Sequence, residues 1–485
     1  MEAVREAMQW LAVKLEGLLA ATEPQDQARL AALSVVALAG AVLLTNAVLS
    51  VLRFARRELM LRPIASAPGG NPLLGHALVL LNAPKRGKGA WDVIEEWAAV
   101  KGNVCRFRIL GTHSVVIADP GALKRVFQTK FKSYSKDLRL SYHPFLPILG
   151  TGLVTADGDL WQKQRLLMAP ALRVDILDDI IPIAKRAVDR LSEKLRGFKG
   201  TGREVHLEEE FRLLTLQVIG EAILSLPPEE CDRVFPQLYL PVMEEANRRV
   251  LLPHRKYLPT PDWFRFRSNI TALNAYLVGL IRERWQARLA GQRPARDILD
   301  RILAALEASG TKWDAAIETQ LCYEIKTFLL AGHETSAAML MWSVFELSQN
   351  EAARRQVVED AERAFGKANA TPSRRAADEM AYTLSVLKEA LRKYSVVPVV
   401  TRELLEDDTL AGYRIPAGTM ITCQLQGVHN QWRDPTVFRP ERFMPGGEYD
   451  EFDESIRPYM FLPFIQGPRN CLGQHLALLE VRGGG

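Results

Sequence analysis

Phe464-Ile465-Gln466-Gly467-Pro468-Arg469-Asn470-Cys471-Leu472-Gly473 is the stretch on which the reading of this chain turns. A single cysteine stands between two glycines, four residues before it and two after. Glycine at both places permits a tight loop and close approach of the backbone to a flat ligand. Residues 474–480 read as the start of a helix, whose free N–H groups and positive dipole end point back at the sulfur. Those donors, with Arg469 nearby, act to lower the thiol pKa and hold a thiolate. A thiolate so placed suits an axial ligand of haem iron that must split an O–O bond. A buried structural cysteine is the competing reading.

Outward from this loop, the composition narrows the alternatives. The chain has 485 residues, 48% hydrophobic and 25% charged, with a net charge of +5. That is too apolar for a disordered chain and too dilute in charge for a nucleic-acid binder. The five cysteines (Cys105, Cys231, Cys322, Cys423 and Cys471) are scattered, without a CxxC pair. A disulfide scaffold or a Cys-rich zinc site does not follow from them.

Residues 30–52 form an uncharged run of 23 residues, LAALSVVALAGAVLLTNAVLSVL. At helical rise this is roughly 34 Å, enough for a hydrocarbon core of about 30 Å. A core helix is the alternative. Arg53, Arg56, Arg57 and Arg62 follow the run, a bias that puts the bulk of the chain on the cytosolic side. The expected organisation is an amphipathic segment 1–29, a transmembrane anchor 30–52, a basic Pro/Gly linker 53–75 and one large domain 76–485. Within that domain residues 104–110 and 114–118 read as strands. From Trp161 onward helical periodicity dominates, and strand-like pieces return near 409–415 and 420–425. The fold class expected is mainly α with a minor β portion.

Phe464, Gly467, Arg469, Cys471 and Gly473 match every fixed position of the haem-binding signature of the cytochrome P450 haem-thiolate monooxygenases, and the chain resembles that family from about Pro63 to Glu480. The resemblance implies the cytochrome P450 fold behind a single N-terminal transmembrane helix, with haem b held by Cys471. Further landmarks occur in the family's order. Ala331-Gly332-His333-Glu334-Thr335-Ser336 lies in a long apolar helical run, where Gly332 costs about 1 kcal/mol against Ala and so calls for a reason. A missing side chain there lets a ligand sit against the helix. Glu334 and Thr335 are an acid beside a hydroxyl, the parts of a proton relay; alternatively Thr335 bonds back one turn and Glu334 faces solvent. The stretch resembles the family's oxygen-activation motif, which implies that Thr335 gates proton delivery with Glu334 as its acid. His333 reads as a helix-face residue.

Glu389 and Arg392 lie at i and i+3, alone a surface ion pair. With Arg442 in Phe438-Arg439-Pro440-Glu441-Arg442-Phe443 they resemble the family's buried Glu–Arg–Arg network that fixes the cysteine loop. Trp161 and Arg165, at i and i+4, together with Arg402 and Arg469, correspond to positions that hold the haem propionates. His429 reads as structural.

The implied reaction inserts one oxygen atom of O2 into a C–H or C=C bond of a lipophilic substrate. No flavin, nicotinamide or Fe–S fingerprint occurs in the chain. Electrons must therefore come from a partner, which the resemblance implies is a separate flavoprotein reductase drawing on NADPH, or ferredoxin in a plastid. The modest positive charge fits a basic docking face. The rivals are a haem-thiolate isomerase or dehydratase, whose members generally lack the acid–alcohol pair, and a haem-binding membrane protein without turnover. The location implied is the endoplasmic reticulum membrane, single-pass with a cytosolic catalytic domain, or a plastid membrane, since residues 331–337 resemble plant and algal members. The substrate and its regioselectivity are not legible. The family continues several dozen residues beyond its cysteine, whereas this sequence stops fourteen residues past Cys471 at three glycines, so a truncated chain is expected.

Overall fold

A single helix, α1 (Pro24–Leu61), runs through the apolar stretch and on past Arg53, Arg56 and Arg57. It is long and apolar enough to cross a membrane over Ala32–Leu61. The basic residues expected in a linker are therefore the last turns of the same helix. The computed structural model describes residues 6, 24–172, 174–293, 295–366 and 373–484. The expected segment 1–29 lies outside the described residues except at Glu6 and where α1 begins. Two compact units result, Met1–Arg62 and Pro63–Gly485.

In the second unit the Pro/Gly stretch after Pro63 is not a free linker. Ile64 and Ala67 are buried. Ala67 N–H donates to the Arg106 carbonyl at 2.8 Å, Arg106 N–H to Ala65 at 2.9 Å and His76 N–H to Arg108 at 2.6 Å. These bonds lay residues 65–76 along an edge strand. Helix α2 (Ala90–Val100) follows and buries Val93, Ile94, Trp97 and Ala98 on one face. Strands β1 (Val104–Ile109) and β2 (Thr112–Ile117) pair antiparallel, Val104 opposite Ile117. Their turn places Leu110 at φ 52°. A two-residue β3 (Tyr134–Ser135) precedes the helical part.

That part holds α3 (Gly158–Met168), α4 (Val174–Phe198), α5 (Leu207–Leu224), α6 (Leu240–Leu251), α7 (Pro261–Leu289) and α8 (Ile298–Ala308). The 35-residue α9 (Ala315–Gln349) comes next, then α10 (Glu351–Phe365) and α11 (Ala381–Lys393). Strand β4 (Val399–Leu404), the hairpin β5 (Asp408–Leu410) and β6 (Tyr413–Ile415), β7 (Met420–Gln424) and helix α12 (Gln474–Gly484) complete it. The sheet runs β1-β2-β7-β4-β3, and β7 lies parallel to β2 and antiparallel to β4. The fold is mainly helical with a minor β portion, as its periodicities imply.

Asp314 starts α9 by accepting the Ile317 N–H at 2.9 Å. Leu321, Ile325 and Leu329, one turn apart, then enter the main core with Ile219 and Ile223 of α5, Leu273 and Leu277 of α7, and Leu476 and Leu479 of α12. The helix that carries Glu334 and Thr335 and the helix behind Cys471 thus share one core.

At Gly75, φ is +63° and a Cβ would lie 2.2 Å from the Arg108 carbonyl oxygen. Gly75→Ala should cost about 2 kcal/mol or more, read as a lower denaturant midpoint for the holoprotein. An unchanged midpoint would mean that residues 65–76 add nothing to the sheet.

Candidate functional site

The cysteine loop is held by its own backbone. Cys471 N–H donates to Phe464 at 2.9 Å and Asn470 N–H to Gly467 at 3.0 Å. Gly467 has φ +79°, and a Cβ there would lie 2.1 Å from the Phe127 carbonyl oxygen, so only glycine fits. Phe464 packs on Met339 of α9 and Leu387 and Leu391 of α11. Gly473 has open space where a side chain would be, and α12 starts directly after it.

Cys471 has accessible surface, yet burial is the leading influence on its thiol. Both hold for a sulfur inside the protein that faces an internal space. Burial pushes the thiol up, while the Gly473 N–H and the Arg165 charge act to lower it. The sequence expectation is corrected in two respects here. The nearby cation is Arg165, not Arg469, and burial outweighs these donors, leaving the thiol above its usual value.

Arg165 spends its guanidinium on the loop itself, with Nη1 donating to the Asn470 carbonyl at 2.7 Å and Nη2 to Asn470 Oδ1 at 2.6 Å. Arg469 pairs with Asp157 and lies 4.9 Å over the Trp161 ring. Its Nε and Nη1 are buried without a partner. Arg402 is buried and gives Nη1 to the Thr401 carbonyl at 2.8 Å. Lys136, which sequence reasoning passed over, is buried beside both arginines and donates to the Leu153 carbonyl at 2.7 Å. Burial, then Arg402 and Arg469, push its amine down to about 7. Asp157 accepts the Lys136 N–H at 2.6 Å as well as pairing with Arg469. Positive charge thus exceeds negative in this cluster, and orphaned donors remain.

A sulfur facing an internal space, a loop clear of side chains at Gly473, and buried cations short of counter-charge fit the iron, ring and two propionates of haem b. Arg469, Arg402 and Lys136 are placed for the carboxylates, Trp161 supports Arg469, and Arg165 braces the loop.

Helix α9 presents different faces. Ala331 is exposed and Thr335, one turn on, is half-buried; the Thr335 hydroxyl donates to the Ala331 carbonyl at 2.5 Å. Gly332 requires a correction. A Cβ there would meet Ile219 Cγ1 at 2.6 Å, so its missing side chain lets α5 approach α9 and does not open the ligand side. Glu334 is half-buried at the cleft and bonds elsewhere than to Thr335. It accepts from Arg212 Nη2 of α5 at 2.9 Å, and His333 Nε2 lies 3.3 Å from its other oxygen. Burial acts to raise its carboxyl, and His333 and Arg212 outweigh it, holding it below the usual range. Glu334 lines a cleft of about 590 Å³ with Glu209, Arg212, Met243, Glu244 and Arg248. His333 is fully buried, edge-on to Tyr239 at 5.4 Å.

Glu389, Arg392 and Arg442 meet in the interior. Arg392 donates to both Glu389 oxygens at 2.7 and 2.9 Å, and Arg442 Nε reaches Glu389 at 3.2 Å. Glu448, unforeseen from the sequence, takes the other side of Arg442. Arg392 also donates to the Pro435 carbonyl at 2.8 Å and Arg442 to Asp434 at 2.9 Å. His429 carries the connection to the cysteine loop. Burial, then Arg392, push its imidazole down to about 3, so it is neutral. Nε2 accepts the Leu462 N–H at 2.9 Å, which leaves the proton on Nδ1 to be donated to Ser395 Oγ at 2.8 Å.

A mainly helical fold with a cysteine-loop site matched to haem defines a haem-thiolate protein. The cytochrome P450 family model matches residues 66–483, and the chain belongs to the cytochrome P450 family. It is a haem-dependent monooxygenase. It is 27% identical to cytochrome P450 4V2 of Rattus norvegicus over 93% of this chain and 88% of that one. Identity to the chloroplastic cytochrome P450 97B2 of Glycine max is 28%, over 81% of this chain and 76% of that one. Identity to the chloroplastic protein LUTEIN DEFICIENT 5 of Arabidopsis thaliana is 29%, over 78% of this chain and 65% of that one. The crystal structure of the cytochrome P450DA heme domain shares the fold, with a TM-score of 0.73 at 21% identity, over 87% of this chain and 89% of that one.

Arg442→Ala would leave Glu389 and Glu448 buried without their shared cation, at a cost of about 3–5 kcal/mol. The purified variant should lose haem; a normal Soret absorbance per mole of protein would refute the network's role. His429 makes a pH prediction. Its folded pKa lies below the unfolded value of about 6.5, so its contribution is complete above that pH and lost as pH falls towards about 3. Haem retention in His429→Gln should fall less steeply with acid than in the parent chain over that window.

Proposed function

We propose that this monooxygenase is membrane-anchored through α1, acts on a lipophilic substrate and draws its electrons from NADPH through a separate flavoprotein reductase. The observation that carries the reading is α1 itself, a helix whose span Ala32–Leu61 is long and apolar enough to cross a membrane. The basic residues at its C-terminal end favour a cytosolic catalytic domain at the endoplasmic reticulum. The chloroplastic relatives support a second reading, a plastid membrane with ferredoxin as donor.

When bound, haem supplies the electron-rich iron centre that activates dioxygen and transfers one oxygen atom to the substrate. Cys471 ligates it, Arg469, Arg402 and Lys136 fix its carboxylates, and the Glu389–Arg392–Arg442 network keeps the ligand loop in register. Thr335 holds a proton at Oγ1 on the internal face of α9. Glu334 faces the outer cleft, ionised and held by Arg212, and takes up protons from water there. With no direct bond between the two, a proton passes from cleft to hydroxyl through water once Glu334 leaves Arg212. Arg212 is thus a positioning residue for the acid.

Thr335→Ala and Glu334→Gln should keep their haem and lose about 10²-fold or more in turnover. Arg212→Gln removes a cation that lowers the Glu334 carboxyl, so the acidic limb of the pH–rate profile should move to higher pH. An unmoved limb would remove Glu334 from proton delivery. Product formation with a diflavin reductase against ferredoxin, in one membrane preparation, separates the two locations. A screen of fatty acids, sterols and terpenoids by haem spectral shift identifies the substrate class, and a response confined to polar metabolites would overturn the lipophilic reading.

A further inference from the structure

The two oxygens of Glu334 meet different neighbours. Oε2 accepts from Arg212 Nη2 at 2.9 Å, and Oε1 lies 3.3 Å from His333 Nε2. The first contact is a formed hydrogen bond. The second is close enough to attract but outside hydrogen-bond geometry, so Nε2 is buried with no partner. The His333 side chain is 0% exposed and that of Glu334 28%. One carboxylate therefore stands between a cation it already holds at the cleft and an unsatisfied nitrogen in the interior. A buried polar atom without a partner is costly, and a fold that keeps one calls for a reason.

The surroundings fix the ring. Nδ1 lies 3.3 Å from the Leu329 carbonyl oxygen one turn back on α9, and the Thr215 hydroxyl of α5 donates to the His333 carbonyl at 2.9 Å. Tyr239, from the π-helical turn Phe235–Tyr239, meets the imidazole edge-on, and its hydroxyl is also buried without a partner. Both ring nitrogens of His333 thus face oxygen atoms. The carboxylate carries the fuller negative charge, so a proton belongs on Nε2. The other charged groups at this end of α9 lie towards the cleft: Glu244 accepts from Arg248 at 2.6 Å, Glu208 lies 3.8 Å from Arg212, and Glu209 lines the cleft. Among the described residues none of them bonds to Nε2, which leaves Glu334 as its acceptor. Burial acts to raise the Glu334 carboxyl, and His333 leads the groups that lower it, ahead of Arg212.

We propose that His333 is a positioning residue for proton delivery: when Glu334 leaves Arg212, its Oε1 closes on the His333 Nε2–H, and the imidazole becomes the inner anchor of the acid. The carboxylate then has two stations, one on Arg212 at the cleft and one against the buried ring. The movement between them is short, because Oε1 already stands beside Nε2. Satisfying the buried donor offsets the loss of the Arg212 bond. The proposal deepens the reading of Glu334 as the acid that takes up protons from water, and rests on it.

The test uses the full-length holoprotein with isotope-labelled histidine in nanodiscs, as the ferrous CO complex, followed by NMR. The His333 ring resonances are assigned by their loss in His333→Gln. Nε2 should carry a proton in the parent chain, and that proton should move downfield in Arg212→Gln, where the carboxylate has lost its outer partner. An unprotonated Nε2, or a resonance that Arg212→Gln leaves in place, overturns the proposal. The pH dependence of NADPH oxidation without added substrate, with the donor that supports it, gives a second reading. An asparagine amide can replace Nδ1 but falls short of Nε2, whereas a glutamine amide reaches the Nε2 position. His333→Asn should therefore move the acidic limb to higher pH by about one unit, and His333→Gln should keep it near that of the parent. Equal limbs in the two variants overturn the proposal, because the Nε2 contact would then make no difference. If His333→Asn fails to retain haem, the NMR resonance decides alone. Glu334→Gln separates the proposal from the reading beneath it: full turnover in that variant removes Glu334 from proton delivery, whereas the resonance reports the His333 contact whether or not protons pass.

Discussion

Two buried guanidinium groups meet on one carboxylate, and the haem site depends on that meeting. Glu389 accepts from Arg392, from Arg442 and from the Arg439 N–H at 3.0 Å. Both guanidinium groups are essentially without solvent. Charges are stable at such depth only when every donor finds an acceptor, and here the spare donors go to the Asp434, Pro435 and His429 carbonyls and to Glu448. The consequence is geometric. A loop of irregular backbone becomes as fixed as α11, and His429 hands that rigidity to Leu462 at the start of the cysteine loop.

The second constraint is the use of separate faces on α9. One face packs against α5, close enough to require glycine at 332. A second carries Ala331 and Thr335, bonded to each other one turn apart. A third turns Glu334 outward to Arg212 and the cleft. Adjacent residues of a helix are about 100° apart, so an acid beside an alcohol in sequence is separated from it in space.

Electrostatics divide the remaining work. Around Cys471 burial pushes the thiol up. Around Lys136, Arg402 and Arg469 an excess of positive charge awaits carboxylates. The two conditions are complementary, because one ligand carrying a metal cation and two anionic arms relieves both.

The element types were legible in the chain because each rests on local periodicity. The 3.6-residue repeat marked the chain from Trp161 onward as mainly helical, and β1 and β2 were legible at 104–110 and 114–118. The cysteine loop was legible because glycine at 467 and 473 is a local steric demand. The family resemblance supplied the Glu389–Arg392–Arg442 grouping, which no local rule connects across some fifty residues. Tertiary structure alone decided what distance in sequence conceals. It brought Lys136 beside Arg402 and Arg469, spent Arg165 on Asn470, paired Glu334 with Arg212 and gave Arg442 its second carboxylate. It also reversed the sense of Gly332, since a helix pattern shows that a side chain is missing but not which neighbour needs the room. Sequence thus determined which groups exist and which segments carry them; packing of distant elements fixed which charges share a partner, because burial and proximity are properties of the folded chain.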